Sequence, residues 1–413
     1  MNKQTLTLIF TIAVGCFACR KTEITERDNQ FVKPIISDVA MASVACFSVK
    51  NNNFIVFARS NTNATPGMIV NLNQFGEEQW RKPIPQSNRL LWTAFQFKSG
   101  EYLTCGYDEI TINRFNIVKY SADGTVLLQD TISLPSACNG CSPPDIIELN
   151  NGNLIFSFGA AGPGRGYILT VSSLLKLIET KIYNTPNSNY SALYFKGLQQ
   201  VNDSTLAISG SCSRRIGYSK AFTNLYFITT DLSGTLRTQS FLIDSVQSET
   251  PNAIGVNRNG IFVVTSTMLG WNSGQGVYVN YLNSSITEYI SGRINILEFD
   301  LNGKFKKRTK IYSYPNNGVI HSVKPTSDGG FILCGTVNQN NTITVDGNTQ
   351  MYFLKLDANF KEEWSKVVYS SYPAFTADVM ETFDGGYFVC GHQYTFNRQF
   401  NLMVLKTDIK ARF

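Results

Sequence analysis

The chain has 413 residues, of which 43% are hydrophobic and 16% charged, and it carries a formal net charge of +6. This composition is typical of a globular protein and excludes a disordered chain, while the absence of a long basic run excludes an obvious nucleic-acid partner. Aromatic residues make up 12% of the chain and histidine occurs only twice, which favours β-strands and leaves little material for histidine-based metal or acid–base chemistry.

Residues 1–18 have the pattern of an export signal. Lys3 is followed by an apolar stretch, residues 6–17, that is too short to cross a bilayer. The order Ala18-Cys19-Arg20-Lys21 resembles the end of the signal peptide of Gram-negative lipoproteins. This resemblance implies that Cys19 is lipidated, that residues 19–30 are a tether, and that the protein is an outer-membrane lipoprotein of the cell envelope. Cys16 is the competing acceptor, and a cleaved secretory signal without lipidation is the alternative.

Residues 31–413 contain one unit repeated seven times. In the last two copies a turn precedes an apolar strand that closes on Cys-Gly, and a second strand follows after a variable loop. The copies of the first strand begin at Phe54, Tyr102, Leu154, Leu206, Phe262, Phe331 and Tyr387. The copies of the second strand begin at Met68, Asn116, Tyr167, Tyr226, Asn295, Tyr352 and Met403.

A hairpin turn rich in Asn, Asp and Gly follows the second strand, a third strand follows the turn, and a further strand precedes each copy. Four strands in a unit of roughly 50 residues are typical of one propeller blade. The sequence therefore predicts an all-β fold, a seven-bladed β-propeller of four-stranded antiparallel blades.

The two ends of the chain are predicted to share a blade. The seventh copy ends just past its third strand, whereas residues 31–35, before the first copy, match the outer-strand sequences that begin at Trp80 and Trp364. An N-terminal strand that completes the last blade would remove the exposed edge of an unfinished sheet.

The unit has a family resemblance. The run Asp328-Gly329-Gly330-Phe331-Ile332-Leu333-Cys334-Gly335, followed by Tyr352-Phe353-Leu354-Lys355-Leu356-Asp357 and Trp364, resembles the repeats of bacterial secreted propeller proteins, a group that extends to the quinoprotein-like propellers. The resemblance implies blades and no particular chemistry. Because the outer-strand Trp occurs only at Trp80 and Trp364, and the count is seven units instead of eight, we expect no quinone and no other cofactor.

The cysteines divide into two groups. Cys105, Cys334 and Cys390 occupy one position of the repeat, where Ser157, Ser209 and Thr265 stand in other copies, and we interpret them as core packing residues. Cys138 and Cys141 lie in the connector between the second and third blades. In an exported protein these two thiols can be oxidised to a disulfide. We predict a disulfide between them; a redox-active pair is the alternative, and no motif for a metal site occurs.

Candidate binding residues lie in one insertion and at both histidines. The fifth copy carries its longest loop over residues 268–293, with Gly, Ser and Asn around the aromatic side chains of Trp271, Tyr278, Tyr281 and Tyr289. These rings are suited to stacking on sugars or packing on a partner, and the alternative is that they fold over their own blade.

His321 and His392 are predicted to project toward the same loop-bearing face of neighbouring blades. Asp145 and Asp378 are predicted to occupy equivalent inner-strand positions that line the channel. They come from the third and seventh blades, so we expect them too far apart for the two carboxylates of a glycosidase.

The function that the sequence favours is a membrane-anchored, monomeric, non-catalytic platform that binds a glycan or a cell-envelope protein. Two alternatives stay open: a carbohydrate-active enzyme, either a glycoside hydrolase or a lyase, with its site on the loop-bearing face, and a scaffold for outer-membrane assembly.

Overall fold

The computed structural model describes residues 30–35, 40–49, 52–60, 65–85, 90–107, 114–134, 141–160, 164–185, 190–216, 220–242, 247–269, 287–288, 293–311, 318–338, 343–344, 349–370, 372–394, 400–410 and 412. Within these residues the regular structure is a series of 30 β-strands, numbered β1 to β30 along the chain. The described part of the chain has no helix of the length and apolarity that a membrane span requires.

Most strands form antiparallel four-stranded sheets. The N-terminal strand β1 (Phe31–Ile35) belongs to the last of them. The first sheet holds β2 (Met41–Val49), β3 (Asn53–Ser60), β4 (Met68–Leu72) and β5 (Glu78–Pro83). The second holds β6 (Leu90–Gln96), β7 (Tyr102–Tyr107), β8 (Arg114–Tyr120) and β9 (Val126–Ser133).

The next strands form one larger sheet of eight. It holds β10 (Asp145–Glu148), β11 (Leu154–Ala160), β12 (Arg165–Val171), β13 (Leu177–Asn184), β14 (Tyr190–Asn202), β15 (Thr205–Ile216), β16 (Lys220–Thr230) and β17 (Leu236–Leu242).

Three further four-stranded sheets complete the molecule. One holds β18 (Gln247–Asn257), β19 (Gly260–Leu269), β21 (Arg293–Phe299) and β22 (Phe305–Ile311), and β20 (Thr287–Glu288) lies outside it. The next holds β23 (Gly318–Pro325), β24 (Phe331–Asn338), β26 (Thr349–Leu356) and β27 (Glu362–Val368), while β25 (Ile343–Thr344) pairs with β20. The last holds β28 (Ala374–Glu381), β29 (Tyr387–Tyr394), β30 (Phe400–Thr407) and β1.

The sheets are arranged in a propeller-like ring. A closed cycle of contacts runs through β2, β6, β10, β14, β18, β23, β28 and back to β2; we call these the inner strands. The prediction of four-stranded antiparallel sheets in an all-β propeller is confirmed.

Seven separate sheets are not observed, because β10 to β17 are joined into one. The junction is a single pair, Ala160 of β11 with Leu193 of β14. It forms because Gly159 lets the two strands approach: a Cβ atom at this position would lie 2.0 Å from the Leu193 carbonyl oxygen.

The first and last sheets are held together through β1. Its pairing with β30 runs from Phe31 opposite Lys406 to Ile35 opposite Leu402, so the predicted completion of the last sheet is confirmed. Phe31 and Ile35 are buried. Beside them, Phe54 of the first sheet stacks on Phe388 of the last with ring centroids 4.0 Å apart. The ring is thus closed by backbone pairing and by aromatic packing.

The Asp-Gly-Gly turns and the lysines of the repeat belong to one structure. The ammonium group of Lys355, which is 2% exposed, lies 2.8 Å from a carboxylate oxygen of Asp328, and Lys406 binds Asp384 in the same way. Thr326 and Thr382 donate hydrogen bonds to the same two carboxylates. A buried lysine requires a charged partner, so this motif of the sequence serves the stability of the sheets.

Candidate functional site in the central channel

Six of the inner strands share an irregularity at one equivalent position. In each of them one residue has no partner on the neighbouring strand, so the register shifts there by one. These bulge residues are Val44, Trp92, Lys196, Asn252, His321 and Ala377. A bulge redirects a side chain and is common next to functional sites. The bulges mark one equivalent position in six of the inner strands.

The bulges explain the glycine in the Cys-Gly motif. A Cβ atom on Gly391 would lie 2.2 Å from the carbonyl oxygen of Phe375, two residues before the bulge at Ala377. The same holds for Gly335 and the carbonyl oxygen of Val319, also at 2.2 Å. The kinked inner strand presses its carbonyl group against the second strand, and only glycine leaves room for it.

Two bulge residues interact across the ring. Lys196 lies on β14 and His321 on β23, with β18 between them in the cycle. Burial, together with the charge of Lys196, lowers the pKa of His321 to about 4. Within the described residues Lys196 has no hydrogen bond or ion pair, and although its side chain is exposed in the channel, the surrounding protein lowers its pKa by desolvation. His321 is held by a contact of 3.0 Å between its Nε2 and Oγ1 of Thr336.

His392 lies deeper, on β29. It is 6% exposed and stacks on the ring of Phe375, while Phe400 meets it edge-on. Burial lowers the pKa of His392 to about 3, and the charges of Arg59 and His321 act in the same direction. The interaction with His321 indicates that the two histidines lie in one region, and their projection toward the same loop-bearing face stays a prediction. Both imidazoles are neutral at pH 7.

A second group of charges lies beside the bulges. Asp378 is 8% exposed and accepts hydrogen bonds from Ser322 Oγ at 2.5 Å and from the Cys46 amide at 3.3 Å. Lys324 lies 3.5 Å from the same carboxylate, which raises the pKa of Lys324.

Asp145 is the counterpart of Asp378 on β10. It accepts a hydrogen bond of 2.8 Å from the Leu198 amide. Burial raises the pKa of Asp145 to about 6, and the charges of Lys324 and Asp378 also act on it. Two inner strands, β6 and β2, separate Asp145 from Asp378 along the shorter way round the cycle, so this interaction crosses the channel. The expectation that the two aspartates lie too far apart for the carboxylate pair of a glycosidase stays a prediction, because an electrostatic interaction alone fixes no distance between the carboxylates.

The thiols of the repeat are core residues. Cys105, Cys334 and Cys390 are fully buried, and burial raises the pKa of Cys105 and Cys334. They pair with the residues that follow the bulges, Thr93, Ser322 and Asp378. Thr265 instead pairs with Pro251, before the bulge, and so corresponds to the glycine of the motif and not to the cysteine.

Several predicted site residues lie outside the described residues. These are Trp271, Tyr278, Tyr281, Tyr289, Cys19 and Cys138. Cys141 is buried and pairs with Ala160 through an isolated bridge, and the Cys138–Cys141 disulfide stays a prediction. Among the described residues no group of three or more His, Cys, Asp or Glu side chains is placed to hold a metal ion.

Trp92, Lys196, Asn252 and Lys324 were not predicted as site residues. No spacing in the sequence marks them, since each stands at a variable position of the repeat. The one sequence signal that could have located the bulges is the Cys-Gly motif, because its glycine is required where the neighbouring inner strand is kinked.

No protein-family model matches the chain, and neither does any curated protein. Solved structures are similar in fold. The polysaccharide lyase Uly1 aligns over 91% of this chain and 91% of its own with 9% identity and a TM-score of 0.52. A protein of unknown function from Dyadobacter fermentans aligns over 91% of this chain and 97% of its own, with 11% identity and a TM-score of 0.49. The N-terminal domain of Nup159 aligns over 91% and 94%, with 10% identity and a TM-score of 0.47.

Proposed function

We propose that the protein is a seven-bladed propeller that binds a glycan in its central channel without transforming it. The count treats the eight-stranded sheet as two blades, because a single pair, Ala160 with Leu193, joins its halves. The cycle of inner strands then contains one strand from each blade.

The observation that carries the binding proposal is the ring of bulge residues. It combines a half-buried aromatic ring, Trp92, with a cation, Lys196, and an amide, Asn252, at the equivalent position of three inner strands. Asn252 donates hydrogen bonds to the Ile320 carbonyl at 2.7 Å and to Ser266 Oγ at 3.1 Å, while its buried Oδ1 has no partner. An open acceptor and an aromatic ring on inner strands of one ring are suited to a sugar, which presents hydroxyl groups at its edge and C–H groups on its face.

The proposal includes the cellular location of the protein. Lipidation of Cys19 and a tether over residues 19–30 would hold a monomeric propeller at the outer membrane, where glycans are accessible. Two acyl chains suffice for stable anchoring, since each buried CH₂ contributes about 0.8 kcal/mol. Metabolic labelling with a fatty acid tests the anchor. Cys19→Ala should abolish incorporation of the label. If incorporation is lost only in Cys16→Ala, Cys16 is the lipidated residue instead.

A glycan array probed with the full chain in detergent tests the binding function. We expect Trp92→Ala to weaken each detected interaction by about tenfold, or 1.4 kcal/mol. Phe383→Ala is the matched control, because this aromatic side chain is 73% exposed in a turn between β28 and β29. Equal binding by wild type and Trp92→Ala would refute the channel as the site. A loss confined to Trp271→Ala would instead place the site on the inserted loop.

A lyase is the second candidate. Elimination from a uronic acid needs a base that removes the proton next to the carboxylate and a positive charge that stabilises the carboxylate itself. The neutral imidazole of His321 could act as this base, and the cation Lys196, which interacts with it, could bind the carboxylate. The polysaccharide lyase Uly1 shares the fold. A rise in ultraviolet absorbance from unsaturated products during incubation with uronic-acid polymers, lost in His321→Gln, would establish this activity in place of simple binding.

A scaffold for membrane assembly remains the third candidate. Leu174, Ile178 and Leu127 are 70%, 57% and 51% exposed on or beside the outer strands β9 and β13. Apolar side chains on a rim are suited to a protein partner. A partner recovered by cross-linking in cells and lost in Ile178→Ser, with channel variants unaffected, would favour this function.

A further inference from the structure

Positive charges act on both histidines. Beyond the effect of burial, Lys196 lowers the pKa of His321, and Arg59 and His321 lower the pKa of His392. The uncharged neighbours are Thr336 at His321 and the rings of Phe375 and Phe400 at His392.

The carboxylates of Asp145 and Asp378 have partners other than the two histidines. Asp378 is bound by Ser322 and Lys324, and Asp145 by the Leu198 amide. Lys196, by contrast, is a cation without a hydrogen bond or ion pair in the described part of the chain. An unpaired ammonium in a partly desolvated place costs free energy unless a ligand supplies the opposite charge.

His392 adds an unused polar atom to this region. Its side chain is more than nine-tenths buried, and its Nδ1 has no hydrogen-bond partner. A buried polar atom without a partner is uncommon in a folded protein and needs an explanation. The aromatic rings on either side of His392 hold its imidazole in place, so the position of this atom is set before any ligand arrives.

We propose that Lys196, His321 and His392 form a binding site for an anionic substituent, a carboxylate or sulfate group, on the glycan that the channel holds. This inference rests on the proposed function and specifies its ligand as an acidic sugar. Lys196 provides the charge, and the imidazoles provide N–H donors that discriminate against neutral sugars. An anion bound here would also stabilise the protonated imidazoles, so binding would be accompanied by proton uptake.

The experiment uses the fact that the chain has only two histidines. The full chain, with its histidines alone labelled for nuclear magnetic resonance, reports both imidazoles without interference. We expect galacturonate and polygalacturonate to shift these signals saturably and to raise the pKa of His321 from its value of about 4. Galactose and its neutral polymer are the matched probes, and we expect them to leave the signals in place.

Variants test the role of the cation. Lys196→Met should weaken galacturonate binding by about tenfold, and Lys196→Arg should restore most of it, because the charge is kept. Lys361→Met is the control, since Lys361 is an exposed lysine in a turn outside the channel. Wild-type affinity in Lys196→Met, or equal shifts with acidic and neutral sugars, would overturn the anionic site.

The results separate this inference from the proposed function. If both acidic and neutral polymers bind through Trp92 while the histidine signals stay unchanged, the glycan platform stands and the anionic site is refuted. If galacturonate shifts the signals but no polymer binds more tightly than the monosaccharide, the anionic site stands and the glycan platform fails. If none of the four probes shifts the signals, the anionic site is refuted.

Discussion

Asp145 and Asp378 occupy the same register position in two different sheets, opposite Ser157 and Cys390, and each accepts a hydrogen bond from the next inner strand of the cycle. The donors are the amides of Leu198 and Cys46. Each carboxylate therefore connects two neighbouring inner strands. The two differ in their counter-charge, since Lys324 lies against Asp378, and this difference has consequences for the pH dependence of stability.

Asp145→Asn should change how stability depends on pH. Burial raises the pKa of Asp145 from 3.8 to about 6, so between these values the folded protein retains a proton that the unfolded chain releases. Stability from this group is therefore lost as pH rises through this window. Asparagine keeps the acceptor for Leu198 without the charge, and we expect the variant to gain about 1–2 kcal/mol at neutral pH relative to wild type. Urea unfolding at a series of pH values measures this, and an unchanged slope would contradict it.

Gly391→Ala should destabilise the protein more than Gly385→Ala. A methyl group at Gly391 collides with the Phe375 carbonyl oxygen at 2.2 Å, whereas Gly385 has no atom within 4 Å and only its φ of 78° disfavours alanine. We expect a loss of about 2–3 kcal/mol at Gly391 and about 1 kcal/mol at Gly385. Thermal unfolding compares the two; equal losses would mean that the bulge tolerates a side chain.

Phe31→Ala should weaken the closure of the ring. Phe31 is 8% exposed and meets Phe388 edge-on at 6.4 Å, while its neighbour Val32 is 45% exposed. Removing the buried ring should cost about 3 kcal/mol, and Val32→Ala should cost little. Hydrogen exchange should then accelerate first at the amides of β30. Exchange that rises uniformly in all sheets would show that β1 does not control closure.

Asp384→Asn should be costly because it leaves Lys406, which is 3% exposed, without its carboxylate. We expect the free energy of unfolding to fall by about 3 kcal/mol, and Lys406→Met in the same chain should recover part of this loss.

The same carboxylate contributes to the pH dependence of stability. Burial alone would raise the pKa of Asp384, but the hydrogen bonds from Lys406 and Thr382 lower it. The stability from this carboxylate is present above a pH of about 4 and is lost as pH falls through the lower folded pKa. Acid unfolding should lose part of its pH dependence in Asp384→Asn; an unaltered acid transition would contradict the pairing.

Much of the fold could be predicted from local patterns. The turns around Gly124, Gly234 and Gly303 were predicted because tight hairpins need residues that accept a positive φ, and each of these glycines has a φ between 78° and 84°. Phe360 takes the same conformation, with a φ of 64°, although it is not glycine. Its ring is buried 4.7 Å from the ring of Phe262, and this packing offsets the backbone strain.

The candidate site was less accessible to sequence reasoning. His321 and His392 could be placed on neighbouring sheets because each stands at a fixed distance from a repeat motif. Lys196 stands 125 positions before His321, and no periodicity relates the two (321 − 196 = 125). Their interaction depends on the diameter of the ring and on the bulges, which are properties of the assembled sheets.

The sequence by itself determined the strands, the turns and the pairing of Phe31–Ile35 with the end of the chain, because alternation, turn chemistry and matching repeats are local signals. The tertiary structure alone decided which polar side chains meet. Asp145, Lys324 and Asp378 come from different sheets, and only the closure of the ring brings their charges within range across a narrow channel, where reduced solvation makes them act on one another.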